Sequence, residues 1–120
     1  VFKLTPLFFS YTISKTGLYT LTKTSAISLA PNIRVNGIAP GPTLKNKRQS
    51  EKHFKKQYLA TPLKRQVDVS EICNAVDFFI KNRSITGQVL AVDSGQNLNW
   101  QTPDIIGTKE WKKIILKLLK

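Results

Sequence analysis

Ile33-Arg34-Val35-Asn36-Gly37-Ile38 runs directly into Ala39-Pro40-Gly41-Pro42, and the passage between the two decides how the chain folds. The first run alternates apolar and polar residues and is rich in β-branched side chains, the pattern of a strand over residues 33–38. The second run holds two prolines, which lack the donor a sheet needs, and a glycine free to take positive φ. Residues 39–42 are therefore expected to form a loop.

Upstream, residues 10–30 contain no proline and read as a helix that Pro31 and Asn32 stop. Small residues surround it, with Ile13, Leu18, Leu21, Ile27 and Leu29 between them, so it suits close packing on more than one side. Downstream, residues 44–65 carry eight Lys and Arg against one acid, and a helix over 50–59 has Phe54, Tyr58 and Leu59 as its anchors. Ser70 is expected to cap a further helix whose apolar stripe runs through Ile72, Cys73, Ala75, Val76, Phe79 and Ile80. Thr86-Gly87 turns the chain into a short apolar strand over 88–93, which Ser94-Gly95 ends. A strand, helices and a second strand make a right-handed crossover, so the two strands must be parallel and the class is α/β. Two such strands form a marginal sheet and call for neighbours.

Composition excludes several classes. A hydrophobic content of 41 % with 9 % aromatics is that of a globular chain rather than a disordered one. No apolar run approaches the roughly 18 residues of a membrane span. The single cysteine, Cys73, permits no internal disulfide and is expected in the core; a cytoplasmic setting follows as the default. His53 is the one histidine, so no metal cluster is expected. The net charge of +12 raises nucleic acid as a partner, but Lys outnumbers Arg 15 to 4, which points to lysine-rich codon drift over the surface. Nucleic acid is accordingly not expected.

Tyr11 and Lys15 stand four apart on the first helix and so leave the same face one turn apart. A tyrosine with its ordinary pKa near ~10 is a poor acid–base group at neutral pH, and an adjacent cation stabilises the phenolate. Tyr19 and Lys23 repeat the spacing, so the pattern alone does not choose between them.

The stretch SYTISKTGLYTLTKTSAISLAPNIRVNGIAPGP, residues 10–42, resembles the short-chain dehydrogenase/reductase superfamily, in which a tyrosine–lysine helix precedes an Ile-Arg-Val-Asn strand and a Pro-Gly loop. In that family the tyrosine lies about 30 residues before the loop, in a doubly wound framework. Tyr11 is 29 residues before Pro40 and Tyr19 is 21, so Tyr11 and Lys15 match. A second resemblance runs from Ile85-Thr86-Gly87-Gln88 to Val92-Asp93-Ser94-Gly95, like the family's last strand, usually ended by Asp-Gly-Gly. Ser94 replaces the first of those glycines in a turn that wants positive φ. Gly41-Pro42-Thr43, Ala60-Thr61-Pro62-Leu63 and the segment from Gly95 to Trp100 look closest to bacterial pteridine reductase and dihydromonapterin reductase-like members.

The resemblance covers roughly residues 7–107 and implies the C-terminal portion of a doubly wound Rossmann-type parallel sheet. It implies that Tyr11 donates a proton to a reduced carbonyl or pterin-type C=N, and that Lys15 supports Tyr11 and binds the nicotinamide ribose. Pro40 and Gly41 would lie against the nicotinamide of NADP or NAD, with Thr43 near its carboxamide. The basic segment 45–64 would be the variable substrate lid. A homo-oligomer is also in keeping with the family.

The family's Gly-rich pyrophosphate turn and its catalytic serine have no counterpart in these residues. With no methionine and Val1 in first place, the chain is expected to be a fragment or truncated form, comprising a shortened domain over 1–107. Cofactor binding and activity are not expected of it alone. Residues 108–120 read as a basic amphipathic tail, with Trp111, Ile114, Ile115, Leu118 and Leu119 on one face, for which an anionic membrane, packing on the module and an out-of-register extension are alternatives. Two other functional readings remain at this level: a basic module binding anionic membrane or nucleic acid, and a half-enzyme completed by a separate N-terminal chain.

Overall fold

The computed structural model describes residues 8–98. Helix α1 (Phe9–Leu29) leads to strand β1 (Gly37–Pro40), helices α2 (Glu51–Leu59) and α3 (Val69–Lys81), strand β2 (Val89–Val92) and a single 3-10 turn (Gln96–Leu98). The two strands are parallel, with Gly37 opposite Val89 and Pro40 opposite Val92, as the crossover argument requires. Residues 99–120, including the expected tail, lie outside the described residues, as do residues 1–7.

The first strand is displaced from its expected position. It occupies Gly37–Pro40 rather than 33–38, so Ala39 and Pro40 are strand and not loop. The reason lies in which edge each residue presents. Gly37 N–H donates to Gln88 O at 2.8 Å and Gly41 N–H to Val92 O at 3.0 Å. With a two-residue period, the nitrogen of Pro40 faces away from β2, and its missing donor removes no bond of the ladder. Upstream of Gly37 one backbone bond remains, Gly87 N–H to Val35 O at 2.7 Å, and side chains supply the others: the Asn36 amide donates to Ile85 O at 2.9 Å and its oxygen accepts from Gln88 N at 3.1 Å. Likewise Val35 N–H donates to the Thr86 hydroxyl at 3.1 Å.

α1 meets the sheet through its small residues. A Cβ on Gly87 would lie 3.4 Å from Ala26 Cβ, and one on Gly37 would lie 3.8 Å from the Thr22 hydroxyl. Ala26 is buried, whereas Ile13, Leu18, Leu21 and Ile27 remain exposed. α2 starts at Glu51, one residue after the expected Ser50, which caps it, its hydroxyl accepting from His53 N–H at 3.2 Å.

α3 departs from expectation twice. Its cap is Asp68, not Ser70: the carboxylate accepts from the N–H and hydroxyl of Ser70, while Glu71 accepts from Asp68 N–H at 2.8 Å. This reciprocal arrangement satisfies two otherwise orphaned donors at the helix start. Cys73, expected in the core, is exposed. The inward side of α3 is Ile72, Ala75 and Phe79, whereas Cys73, Val76 and Ile80 form the neighbouring row and stay open. A two-stranded sheet is too narrow to cover both rows. The C-terminal end of α3 is held by Arg34, whose guanidinium donates to the carbonyls of Phe79, Asn82 and Ile85 at 2.8, 3.1 and 3.0 Å.

Candidate functional site

The carboxyl ends of parallel strands are where α/β folds place ligands, and both strands here end in tight turns. β1 leaves through Gly41, Pro42 and Thr43; β2 leaves through Asp93, Ser94 and Gly95. The turns are in backbone contact: a Cβ on Gly41 would lie 2.5 Å from Asp93 Cα and 2.8 Å from its carbonyl oxygen. Only glycine fits there. Ser94 holds φ 55° and Gly95 φ 79°, so a serine does occupy the left-handed position. Asp93 stabilises that turn, its carboxylate accepting from Gly95 N–H at 2.9 Å and Asn97 N–H at 2.8 Å.

The loop after β1 is fixed from its other side. Val67, 2 % exposed, donates its N–H to Pro42 O at 3.0 Å. The Gln66 amide donates to Thr43 O at 2.6 Å, and the Thr43 hydroxyl donates to Gly41 O at 3.0 Å. Leu63 N–H donates to Ser94 O at 3.1 Å, joining the segment after α2 to the second turn. Pro40, Gly41 and Thr43 thus form one rigid wall at the carboxyl edge.

Tyr11 and Lys15 are brought together on α1, with the Lys15 ammonium 5.6 Å from the centre of the Tyr11 ring. Lys15 is half-buried on the helix row that also holds Thr12, Tyr19, Thr22 and Ala26. Tyr11 is 56 % exposed. The Tyr19–Lys23 pair has similar geometry, 5.1 Å, but its tyrosine is half-buried. A phenol that must meet a substrate has to be reachable, which Tyr11 is. No hydrogen bond or ion pair joins the Tyr11–Lys15 pair to the 40–43 loop among the described residues.

Several residues that hold the site had no reading in the sequence. Asn36 and Arg34 looked like the polar half of a strand, and Gln66 carried no pattern of its own. For Asp68 a signal exists, an Asp followed three residues later by Glu before an apolar run. Among the described residues, no group of three His, Cys, Asp or Glu could hold a metal. No helix there is long and apolar enough to cross a membrane.

A parallel α/β module with a tyrosine–lysine helix and a Pro-Gly turn at the carboxyl edge of its sheet has the architecture of a partial Rossmann-type oxidoreductase. The family described as enoyl-(acyl carrier protein) reductase matches residues 3–97. A short-chain dehydrogenase/reductase homolog of Bacillus subtilis, YusR, is 33 % identical over 89 residues, covering 73 % of this chain and 69 % of that protein. The chain belongs to the short-chain dehydrogenase/reductase superfamily. Dihydromonapterin reductase of Klebsiella pneumoniae is 32 % identical over 74 % of this chain and 37 % of that enzyme. The crystal structure of FolM alternative dihydrofolate reductase 1 from Brucella canis, complexed with NADP, is 54 % identical. It superposes with a TM-score of 0.82, covering 87 % of this chain and 42 % of that one. The chain therefore spans about two fifths of the length of these reductases.

Proposed function

We propose that this chain carries the proton-donating side of an NADP(H)-dependent reductase acting on a carbonyl or a pterin-type C=N bond. The observation that carries the reading is the exposed Tyr11 phenol one helical turn from Lys15, whose ammonium lies 5.6 Å from the ring. The likeness to a dihydrofolate reductase complexed with NADP supports the choice of substrate class and cofactor.

When bound, the nicotinamide supplies a hydride to the carbon being reduced. Tyr11 Oη gives a proton to the oxygen or nitrogen that gains electrons. The Lys15 ammonium stabilises the phenolate left behind by Coulomb attraction and would bind ribose hydroxyls. The wall of Pro40 and Gly41 fits the flat nicotinamide, because glycine lets the turn lie against Asp93 and keeps the carboxyl edge free of a side chain. The Thr43 hydroxyl, resting on Gly41 O, can turn to a carboxamide. The described residues include no Gly-rich turn, so these groups serve the nicotinamide end alone. For that reason the 120-residue polypeptide by itself is expected to oxidise no NADPH.

The test is a chimera that joins this chain to the part of Brucella canis FolM it does not cover. The expected result is NADPH oxidation with dihydrofolate or a dihydropterin, lost on Tyr11→Phe. A folded chimera that binds NADP yet turns over equally well as Tyr11→Phe overturns the reading.

A further inference from the structure

α3 has a second apolar face that the sheet does not use. Val69, Cys73, Val76 and Ile80 recur at i, i+4, i+7 and i+11 and so form one stripe along the helix, beside the inward row of Ile72, Ala75 and Phe79. Val69, Val76 and Ile80 are 48, 46 and 64 % exposed, and Cys73 is exposed as well. A helix that is apolar on two sides calls for a second neighbour. Alongside the stripe, a groove of about 310 Å³ opens between α3 and β1, lined by Arg34, Asn36, Ile38, Val76, Phe79 and Ile80.

Charge selects the neighbour. Residues 68–81 carry Asp68, Glu71 and Asp77 against Lys81 alone, an acidic stretch in a chain of net charge +12. Helix α1 also exposes apolar residues, but it carries Lys15 and Lys23 and no acid. Segment 44–65, with eight Lys and Arg against one acid, repels a basic partner. Residues 109–120 have the complementary character: five lysines against Glu110, interleaved with Trp111, Ile114, Ile115, Leu118 and Leu119.

We propose that residues 109–120 fold back onto α3, laying these five apolar residues on the stripe of Val69, Cys73, Val76 and Ile80 and covering the groove beside it. The dimensions agree. At helical rise the apolar positions from 111 to 119 span about 12 Å, and the stripe from 69 to 80 about 16 Å. The chain also reaches. Leu63 N–H bonds Ser94 O and Val67 N–H bonds Pro42 O, so α3 begins at the same carboxyl edge at which the turn ending in Leu98 lies. Residues 99–110, extended, cover about 40 Å, against about 20 Å for the whole of α3. The inference is independent of the reductase reading, since it needs neither cofactor nor substrate.

Cys73 reports the docking directly, because it is the chain's only cysteine. Its alkylation by iodoacetamide, a neutral reagent, is followed by mass spectrometry in the 120-residue chain. Ile115→Asp with Leu118→Asp should speed the reaction by about tenfold or more, and Lys112→Glu with Lys113→Glu by about threefold or more, with circular dichroism confirming the fold of each. The parent's rate should not change across an about fiftyfold range of protein concentration, nor on addition of phosphatidylserine vesicles. A second measurement disturbs the other partner and leaves the segment intact. In a Trp100→Phe background, Ile80→Lys on the open row of α3 should move the Trp111 emission to the red. Equal alkylation rates in the parent and both pairs of variants, or an unmoved Trp111 emission, overturns the proposal. Protection that grows with protein concentration overturns it in favour of a second copy, and a parent rate that changes with vesicles overturns it in favour of a membrane.

Discussion

Gly41 and Asp93, the residues that follow the two strands, touch through their backbones: a Cβ on Gly41 would lie 2.5 Å from Asp93 Cα. The neighbouring atom is main chain, so no rotamer change relieves the contact. Gly41→Ala must part the strand ends, at a cost of about 1–3 kcal/mol, the range for forced overpacking. Urea denaturation of the variant should show a lower midpoint with an unchanged slope. An unchanged midpoint would mean that the turns are not in contact.

Tyr11 and Tyr19 offer a direct comparison, since each has a lysine about one turn away. In the chimera with the Brucella reductase, Tyr11→Phe should lower kcat/KM by about 10²-fold or more, the scale of a lost general acid. Tyr19→Phe should stay within about threefold of the parent. Reversed magnitudes would transfer the proton-donating role to Tyr19.

Much of the frame was legible in the residues because it depends on local chemistry. Helix α1 needs only a proline-free stretch, and the parallel crossover follows from strand order. The position of β1 was not legible, since it turns on Asn36 and Thr86 standing in for ladder bonds between segments about 50 residues apart. Cys73 was misplaced for a similar reason: its row looks apolar in sequence, but the sheet beneath α3 is too narrow to reach it. The Tyr11–Lys15 pair could be seen as a spacing, and its 29-residue distance from Pro40 already set it apart from Tyr19–Lys23; what the sequence could not show is that Tyr11 is the more exposed of the two tyrosines.

Arg34 tests how far one side chain holds α3 to the sheet. It donates to three carbonyls near the end of that helix, where the dipole also favours a cation. Arg34→Ala should destabilise the chain by about 1–2 kcal/mol, the scale of charged hydrogen bonds at a partly exposed site. Arg34→Lys should recover only part, because an ammonium is a single nitrogen on a differently shaped stem and lacks the second guanidinium nitrogen, which donates to Ile80 O at 3.4 Å. Full recovery by lysine would reduce the interaction to charge alone.

Asp68 makes the start of α3 sensitive to acid. Its carboxylate accepts from the Ser70 hydroxyl at 2.7 Å and from the Ser70 N–H at 2.8 Å. These bonds hold its pKa below the ordinary 3.8 against the opposing effect of desolvation, and the nearby Arg65 charge adds a smaller lowering effect. The folded chain therefore binds this proton more weakly than the unfolded chain does. The stabilisation is fully present above pH 3.8 and disappears as the pH falls through the lower folded value. Asp68→Asn keeps an oxygen for the Ser70 N–H but cannot titrate, and every other carboxylate is common to both proteins. The difference between their urea midpoints should hold steady from about pH 7 to pH 5 and narrow below about pH 4. A difference that stays constant into that acid range would mean that the cap acts through geometry alone, with its charge contributing nothing.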